Sequence, residues 1–218
     1  MLLIVAATER EMIQVRHALG QRSDVTCLQT GMGLVETTLH LTRFLSGSND
    51  RVSLVMNIGI AGAFLDSGPQ LLDLCLAERE IVGDFGICRR DEIIRFDRSD
   101  LQPPIEFDLG NAFFKRAGLE LAGRGMPHCQ GTFVTVNCTS GTAGRGRYLK
   151  EKYQAICENM EGAAVARVCK EFGLPCLEIR CISNMVEDRD VSKWRMAEAI
   201  EKMAAAAVLL APHLVTGA

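Results

Sequence analysis

Leu2 to Ala7 is an unbroken apolar run of strand length, and behind it Met12, Val15 and Leu19 recur at helical spacing within Glu9 to Leu19. The alternation continues as strand Val25 to Thr30, helix Leu34 to Leu45, strand Val52 to Ile60, strand Gly131 to Asn137, helix Glu161 to Phe172, strand Pro175 to Ser183 and helix Ser192 to Leu210. Strands that are apolar on both faces and alternate with helices predict an α/β fold: a three-layer sandwich whose central sheet, mostly parallel (mixed), is flanked by helices. The middle third is less regular. It has two short apolar runs around Gly83 between Leu71 and Cys88, then Glu92 to Phe96, a polar stretch at Pro103-Pro104, and an amphipathic helix near Asn111 to Leu121. This section is expected to extend the sheet and to supply a wall of the pocket.

Composition narrows the reading. With 218 residues, 48% of them hydrophobic, the chain can fill one core but is short for two ordinary domains and a linker, so residues 1–218 are read as a single domain. The net charge of -3, with acids and bases interspersed, leaves no basic stripe to track phosphates, which argues against nucleic acid and for a small-molecule ligand. Nine cysteines stand scattered, with no CxxC pair and no histidine at ligand spacing. They predict a reducing cytoplasm and no metal site. The apolar N-terminus lacks a positive leading region and reads as a strand, and no run nears the roughly 20 apolar residues of a membrane span.

In open α/β sheets ligands gather beyond the carboxyl ends of the strands. Glu11, Gly31 to Gly33, Asn57 to Gly62, Asn137 to Gly141, Met160-Glu161 and Ser183-Asn184 all fall at predicted strand ends, so six segments are expected to face one cleft. Thr30-Gly31-Met32-Gly33 lacks the third glycine of a dinucleotide fingerprint, since Glu36 stands there, and a simple glycine turn explains it equally well. Glu9 and Glu11 open a helix, where the helix dipole alone accounts for a carboxylate. A carboxylate at a strand end is also what a water-activating base requires. Glu161 meets the same alternative, yet beside Met160 it offers two acceptor oxygens for a vicinal diol and a thioether face for a sugar ring. Asn184 either caps a turn or reads a purine edge: its amide can donate to N7 and reach a 6-oxo group, where an aspartate would accept from a 6-amino group. Glu187-Asp188-Arg189-Asp190 reads as a solvated loop, and Trp194, the only tryptophan, as packing for its helix, with a lid or subunit contact as the lesser alternative for this segment.

Taken together, Ala7-Thr8-Glu9-Arg10-Glu11, Thr30 to Gly33, Asn57 to Gly62, Asn159-Met160-Glu161-Gly162-Ala163-Ala164 and Ile179 to Asn184 resemble, in order and spacing, the nucleoside phosphorylase and nucleosidase superfamily. Within it, Ser183-Asn184 followed by Val186 to Asp190 and Trp194 is most similar to the futalosine hydrolases. The resemblance implies a nucleoside phosphorylase-like fold, a purine nucleoside as the ligand, no cofactor, a homo-oligomer, and a place in menaquinone biosynthesis. It implies that Glu11 is the catalytic base, that Glu161 binds the ribose hydroxyls, that Met160 underlies the sugar, and that Gly62, Thr139, Ser140 and Ser183 line the base pocket. Thr139 replaces an aromatic residue and Ile60 a serine. Asn184 stands where adenine-specific relatives carry a proton-donating aspartate, and can act only by hydrogen bonding to the departing base. Ala7 to Glu11 replaces the Gly-Asp-Pro-x-Arg anion loop of the phosphorylases, which favours water over phosphate; Arg10 is expected to face away from Glu11. No segment carries a motif for the 5′ substituent, and Phe85 and its neighbours are offered for it without one.

Overall fold

The computed structural model describes residues 1–48, 51–89, 92–96, 99–101 and 103–215. In chain order the elements are β1 (Leu2–Ala6), α1 (Glu9–Leu19), β2 (Val25–Gln29), α2 (Gly33–Gly47), β3 (Leu54–Phe64), β4 (Leu74–Val82), β5 (Ile87–Arg89), β6 (Glu92–Ile94), β7 (Glu106–Asp108), α3 (Ala112–Gly123), β8 (His128–Thr135), α4 (Ala143–Tyr153), β9 (Ala155–Asn159), α5 (Gly162–Phe172), β10 (Cys176–Val186) and α6 (Met196–Val215). The main sheet runs β10-β4-β8-β9-β3-β1-β2, with β7 on the side of β4. It is mixed: β1–β2, β1–β3, β3–β10, β4–β8 and β8–β9 are parallel, whereas β4–β10, β3–β9 and β4–β7 are antiparallel.

Alternation along β1 shows how the layers are made. Leu2, Ile4 and Ala6 enter a core with Met12 and Val15 of α1, Phe114 and Leu121 of α3 and Met203 to Leu214 of α6. Leu3 and Val5 point the other way, to Leu41 of α2 and Ala163 to Cys169 of α5. Helices therefore cover both faces of one sheet. A third cluster sets Leu149 and Tyr153 of α4 on Phe64, Val134, Val136 and Val186.

The structure departs from the sequence reading in ways that matter for the site. Strand β3 pairs with both β9 and β10, so β10, β4, β8, β9 and β3 form a closed ring and not an open sheet. Asn57 to Gly62 and Ser183-Asn184 lie inside β3 and β10, not beyond their ends, because each glycine-containing stretch still pairs: Gly59 opposite Arg180, Gly62 opposite Asn184. Helix α4 and strand β9 escape the periodic pattern, since AGRGRYLKEKY buries only Gly146, Leu149 and Tyr153. Helix α6 starts at Met196, because Asp190 caps a separate 3-10 turn at Val191–Lys193 that takes Ser192. The middle third does extend the main sheet through β4 and β7, but β5 and β6 form a separate ribbon.

Candidate active site

One cavity of about 330 Å³ is lined by all eight residues named above: Glu11, Gly62, Thr139, Ser140, Met160, Glu161, Ser183 and Asn184. Among the described residues, none between 63 and 138 lines it, so the described part of the middle third supplies none of its wall. Phe85 packs instead edge-on to Phe96, ring centroids 5.8 Å apart.

The floor is charged and buried. Thr8 caps α1, its backbone N–H and hydroxyl donating to Glu11 Oε2 at 3.2 and 2.7 Å, so the capping box that starts the helix also aims the carboxylate. The other oxygen, Oε1, accepts from the Ile60 N–H at 3.1 Å. Gly59 makes room for this contact: a Cβ there would lie 2.4 Å from Arg180 Nη1 and 2.9 Å from Glu11 Oε1. Arg180 donates from Nε to Glu178 Oε1 at 2.8 Å, from Nη1 to Glu161 Oε2 at 3.2 Å and to the Ile60 carbonyl at 3.3 Å, and from Nη2 to Asn159 Oδ1 at 3.3 Å. Burial works against its charge, but Glu178, Glu161 and Glu11 outweigh that and hold the guanidinium pKa above its ordinary value.

Glu161 immediately precedes α5 but does not cap it. That task falls to Asn159, whose Oδ1 accepts from the N–H groups of Glu161 and Gly162 at 2.9 and 2.7 Å. The Glu161 carboxylate is thereby free for the cavity, where Oε1 accepts from the Gly33 N–H at 3.1 Å, at the positive end of α2. The helix-dipole explanation of Glu161 thus transfers from its own helix to a distant one. Gly33 has φ +86°, a conformation suited to glycine.

At the opposite end, β10 carries an irregularity between Ile182 and Asn184: Ile182 pairs with Ala61 and Asn184 with Gly62, leaving Ser183 as the extra residue. The bulge turns successive side chains, Ser183 and Asn184, to one cavity. Ser183 Oγ donates to Asn184 Oδ1 at 2.9 Å, and Asn184 Nδ2 donates to the Met185 carbonyl at 3.3 Å, so the second amide N–H is left for a ligand. Ser140 is anchored by Glu158, to which it donates from N at 2.7 Å and from Oγ at 2.6 Å. Burial pushes the Glu158 carboxyl up against the opposing pull of these two bonds.

Arg10, Met32, Arg189, Trp194, Met196 and Ile200 also line the cavity. Arg10 thus reaches the cavity, contrary to the expectation from its place one residue before Glu11. Trp194 lines the cavity as well, with the Arg189 guanidinium 4.7 Å from its ring centroid. The solvated-loop reading of Arg189 and the packing role of Trp194 leave this contact out; of the alternatives for this segment, a lid accommodates it.

Sequence reasoning gave no role to Arg180, Glu178, Glu80, Glu158 or Asn159. A signal was present: Glu178 and Arg180 interrupt the apolar strand Leu177 to Ile182 at a spacing of two, and Glu80 interrupts β4. Charges inside strands buried on both faces need partners.

The arrangement brings two acceptor carboxylates and an amide donor around one cavity, which is what a ligand with a diol at one end and a hydrogen-bonding ring at the other requires. Comparison with known proteins agrees with the geometry. The family model of the phosphorylase superfamily matches residues 7–213. This chain belongs to the phosphorylase superfamily. It is 33% identical over 181 residues to the futalosine hydrolase of Thermus thermophilus, spanning 82% of this chain and 77% of that protein. It is 26% identical over 235 residues to the 5′-methylthioadenosine/S-adenosylhomocysteine nucleosidase of Geobacillus thermodenitrificans, spanning 94% and 93%. The structure of a futalosine hydrolase mutant of Helicobacter pylori superposes with a TM-score of 0.86 at 18% identity, covering 97% of this chain and 98% of that one, which establishes the superfamily fold.

Proposed function

We propose that this protein is an N-glycosidase that hydrolyses futalosine to hypoxanthine and base-free futalosine, a step in menaquinone biosynthesis, in the cytoplasm and without a cofactor. The observation that carries the reading is the presence of Glu11, Glu161 and Asn184 on one cavity, with the similarity to a futalosine hydrolase in support. Glu161 accepts from the ribose hydroxyls; a carboxylate has about four lone-pair sites, and here two donors, Gly33 N and Arg180 Nη1, occupy part of them. Met160 lies under the sugar. Glu11 removes a proton from the water that attacks C1′ as the glycosidic bond breaks. Asn184 donates a hydrogen bond to the departing base, stabilising the charge that develops there. Gly62, Thr139, Ser140 and Ser183 line the base end.

The 5′ aryl group is assigned to the mouth, against Trp194, Met32 and Met196. Exposed apolar side chains on and beside α2, Met32 (63%), Val35 (76%) and Leu39 (57%), support a homo-oligomer in which this face is covered. Purified protein incubated separately with futalosine, inosine and methylthioadenosine is expected to show its highest kcat/KM on futalosine. A higher value for methylthioadenosine overturns the assignment. Replacing the amide by Asn184→Asp is expected to move the preference toward the 6-aminopurine.

One observation favours a second reading. Arg10 lines the cavity near Glu11, and a cation there suits an attacking phosphate as in the phosphorylases. The buried Glu11 carboxylate opposes it by charge, and hydrolysis is the reading retained.

A further inference from the structure

Behind Glu161, away from the cavity, two carboxylates meet, and among the described residues no cation lies between them. Glu80 and Glu178 are both fully buried. A Cβ placed on Gly162 would lie 2.0 Å from Glu80 Oε1 and 2.5 Å from Glu178 Oε2, so the two oxygens converge on the space this glycine leaves open. Their remaining contacts are unequal. Glu178 Oε1 accepts from Arg180 Nε at 2.8 Å and Asn57 Nδ2 at 3.0 Å, while Glu178 Oε2 is buried without a hydrogen-bond donor among the described residues. Glu80 Oε2 accepts from the Thr135 hydroxyl at 2.8 Å, and Oε1 from Asn159 Nδ2 at 2.5 Å. The orientation of Asn159 is fixed, because its Oδ1 already accepts from two backbone N–H groups. Two ionised carboxylates converging in a buried site, one with an oxygen facing no donor, are unfavourable; one proton between them removes both the repulsion and the orphan.

We propose that Glu80 and Glu178 share a single proton across Glu80 Oε1 and Glu178 Oε2, and that this singly charged acid pair is the positioning device that holds Arg180 against Glu161. The role rests on the reading of Glu161 as the ribose carboxylate; the proton does not. Charge bookkeeping supports it: Glu80, Glu178, Glu161 and Glu11 surround one buried guanidinium, and protonating the pair removes one negative charge from that group. Burial and mutual repulsion raise the Glu80 carboxyl well above its usual range, and burial raises Glu178, against the pull of Arg180. The proton belongs to the pair. The titratable or charged groups facing it are Arg180 and Cys176 from β10, Cys157 from β9 and Glu161 ahead of α5, with Glu11 of α1 beyond Arg180.

The folded chain keeps this proton above the ordinary carboxylate range, where the unfolded chain has lost it, so unfolding at neutral pH releases a proton and stability falls as pH rises through that window. Glu178→Gln is the diagnostic change. Its amide N–H would take the place of the shared proton toward Glu80 Oε1, and its oxygen would still accept from Arg180 and Asn57, leaving the charge of the pair unchanged. Calorimetric unfolding at neutral pH, in buffers of differing ionisation enthalpy, is expected to release about one proton fewer in Glu178→Gln than in the native chain. The kcat/KM of Glu178→Gln on futalosine is expected within about 3-fold of native, while Glu178→Leu, which removes the acceptor of Arg180 Nε, is expected to lose at least ~10-fold. Equal proton release by native and Glu178→Gln chains overturns the shared proton. A kcat/KM for Glu178→Gln as low as that of Glu178→Leu overturns the positioning role. If the native chain does not cleave futalosine, the functional reading fails while the proton count still tests the pair.

Discussion

At the floor of the cavity Glu11, Glu161 and Arg180 are buried and each meets protein donors or acceptors, whereas at its mouth Met32, Arg189 and Trp194 stand partly or wholly in solvent. The floor is assembled from β3, β10, α1 and the starts of α2 and α5, all rigid elements, and glycines let charged groups approach the backbone closely. The mouth is built from a loop, a helix start and one cation–π contact. A site made this way fixes the geometry of bond breaking where it is dry and leaves recognition of the 5′ group to side chains that can adjust. Disturbing the floor should therefore reduce turnover on every substrate, and disturbing the mouth should affect only the substituent it holds.

Three substitutions probe that division, beginning with the largest effect. Glu11→Gln removes the base and is expected to lower kcat by at least ~100-fold on futalosine and inosine alike. Hypoxanthine binding, followed by calorimetry, should survive it. Unchanged turnover would mean that Glu11 is not the base, and a native chain that binds hypoxanthine tightly without turning over nucleosides would be a binding protein. Gly59→Ala presses a methyl group on Arg180 and Glu11 together, and is expected to lower stability by about 1–3 kcal/mol in denaturant unfolding. Activity on both substrates should fall with it; full activity would show that the floor tolerates displacement and is less rigid than described. Trp194→Ala should raise KM for futalosine about 3- to 10-fold, the scale of a lost aromatic contact, and leave inosine unaffected. Equal changes for both substrates would remove the contrast between floor and mouth.

The layers of this fold are legible in the chain because buried strands write continuous apolar runs and amphipathic helices write a repeat; Leu2 to Ala7 followed by Met12 and Val15 is enough to establish both. What is not legible is closure. Nothing in the apolar run of β3 says that it pairs with β9 on one side and β10 on the other, since pairing partners are set by backbone geometry far away in sequence. The site divides in the same manner. Met160-Glu161 and Ser183-Asn184 stand out as polar groups at the ends of apolar segments, but the partners that orient them do not. Asn159 relieves Glu161 of capping through a bond visible only in three dimensions, and Ser183 becomes the bulged residue only against Ala61 and Gly62. The places of Arg10 and Trp194 on the cavity are not legible because neighbour spacing gives the direction of a side chain along a helix, and neither residue sits well inside one: Arg10 belongs to the first turn of α1, and Trp194 ends a 3-10 turn.

The central claim is that water, prepared by Glu11, is the nucleophile in this cavity. Running the reaction on futalosine in oxygen-18 water, with and without inorganic phosphate, tests it directly. The account predicts hypoxanthine release at the same rate in both conditions and a sugar product carrying the heavy oxygen at C1′. Release that depends on phosphate, with the sugar recovered as its 1-phosphate and free of heavy oxygen from water, would contradict it.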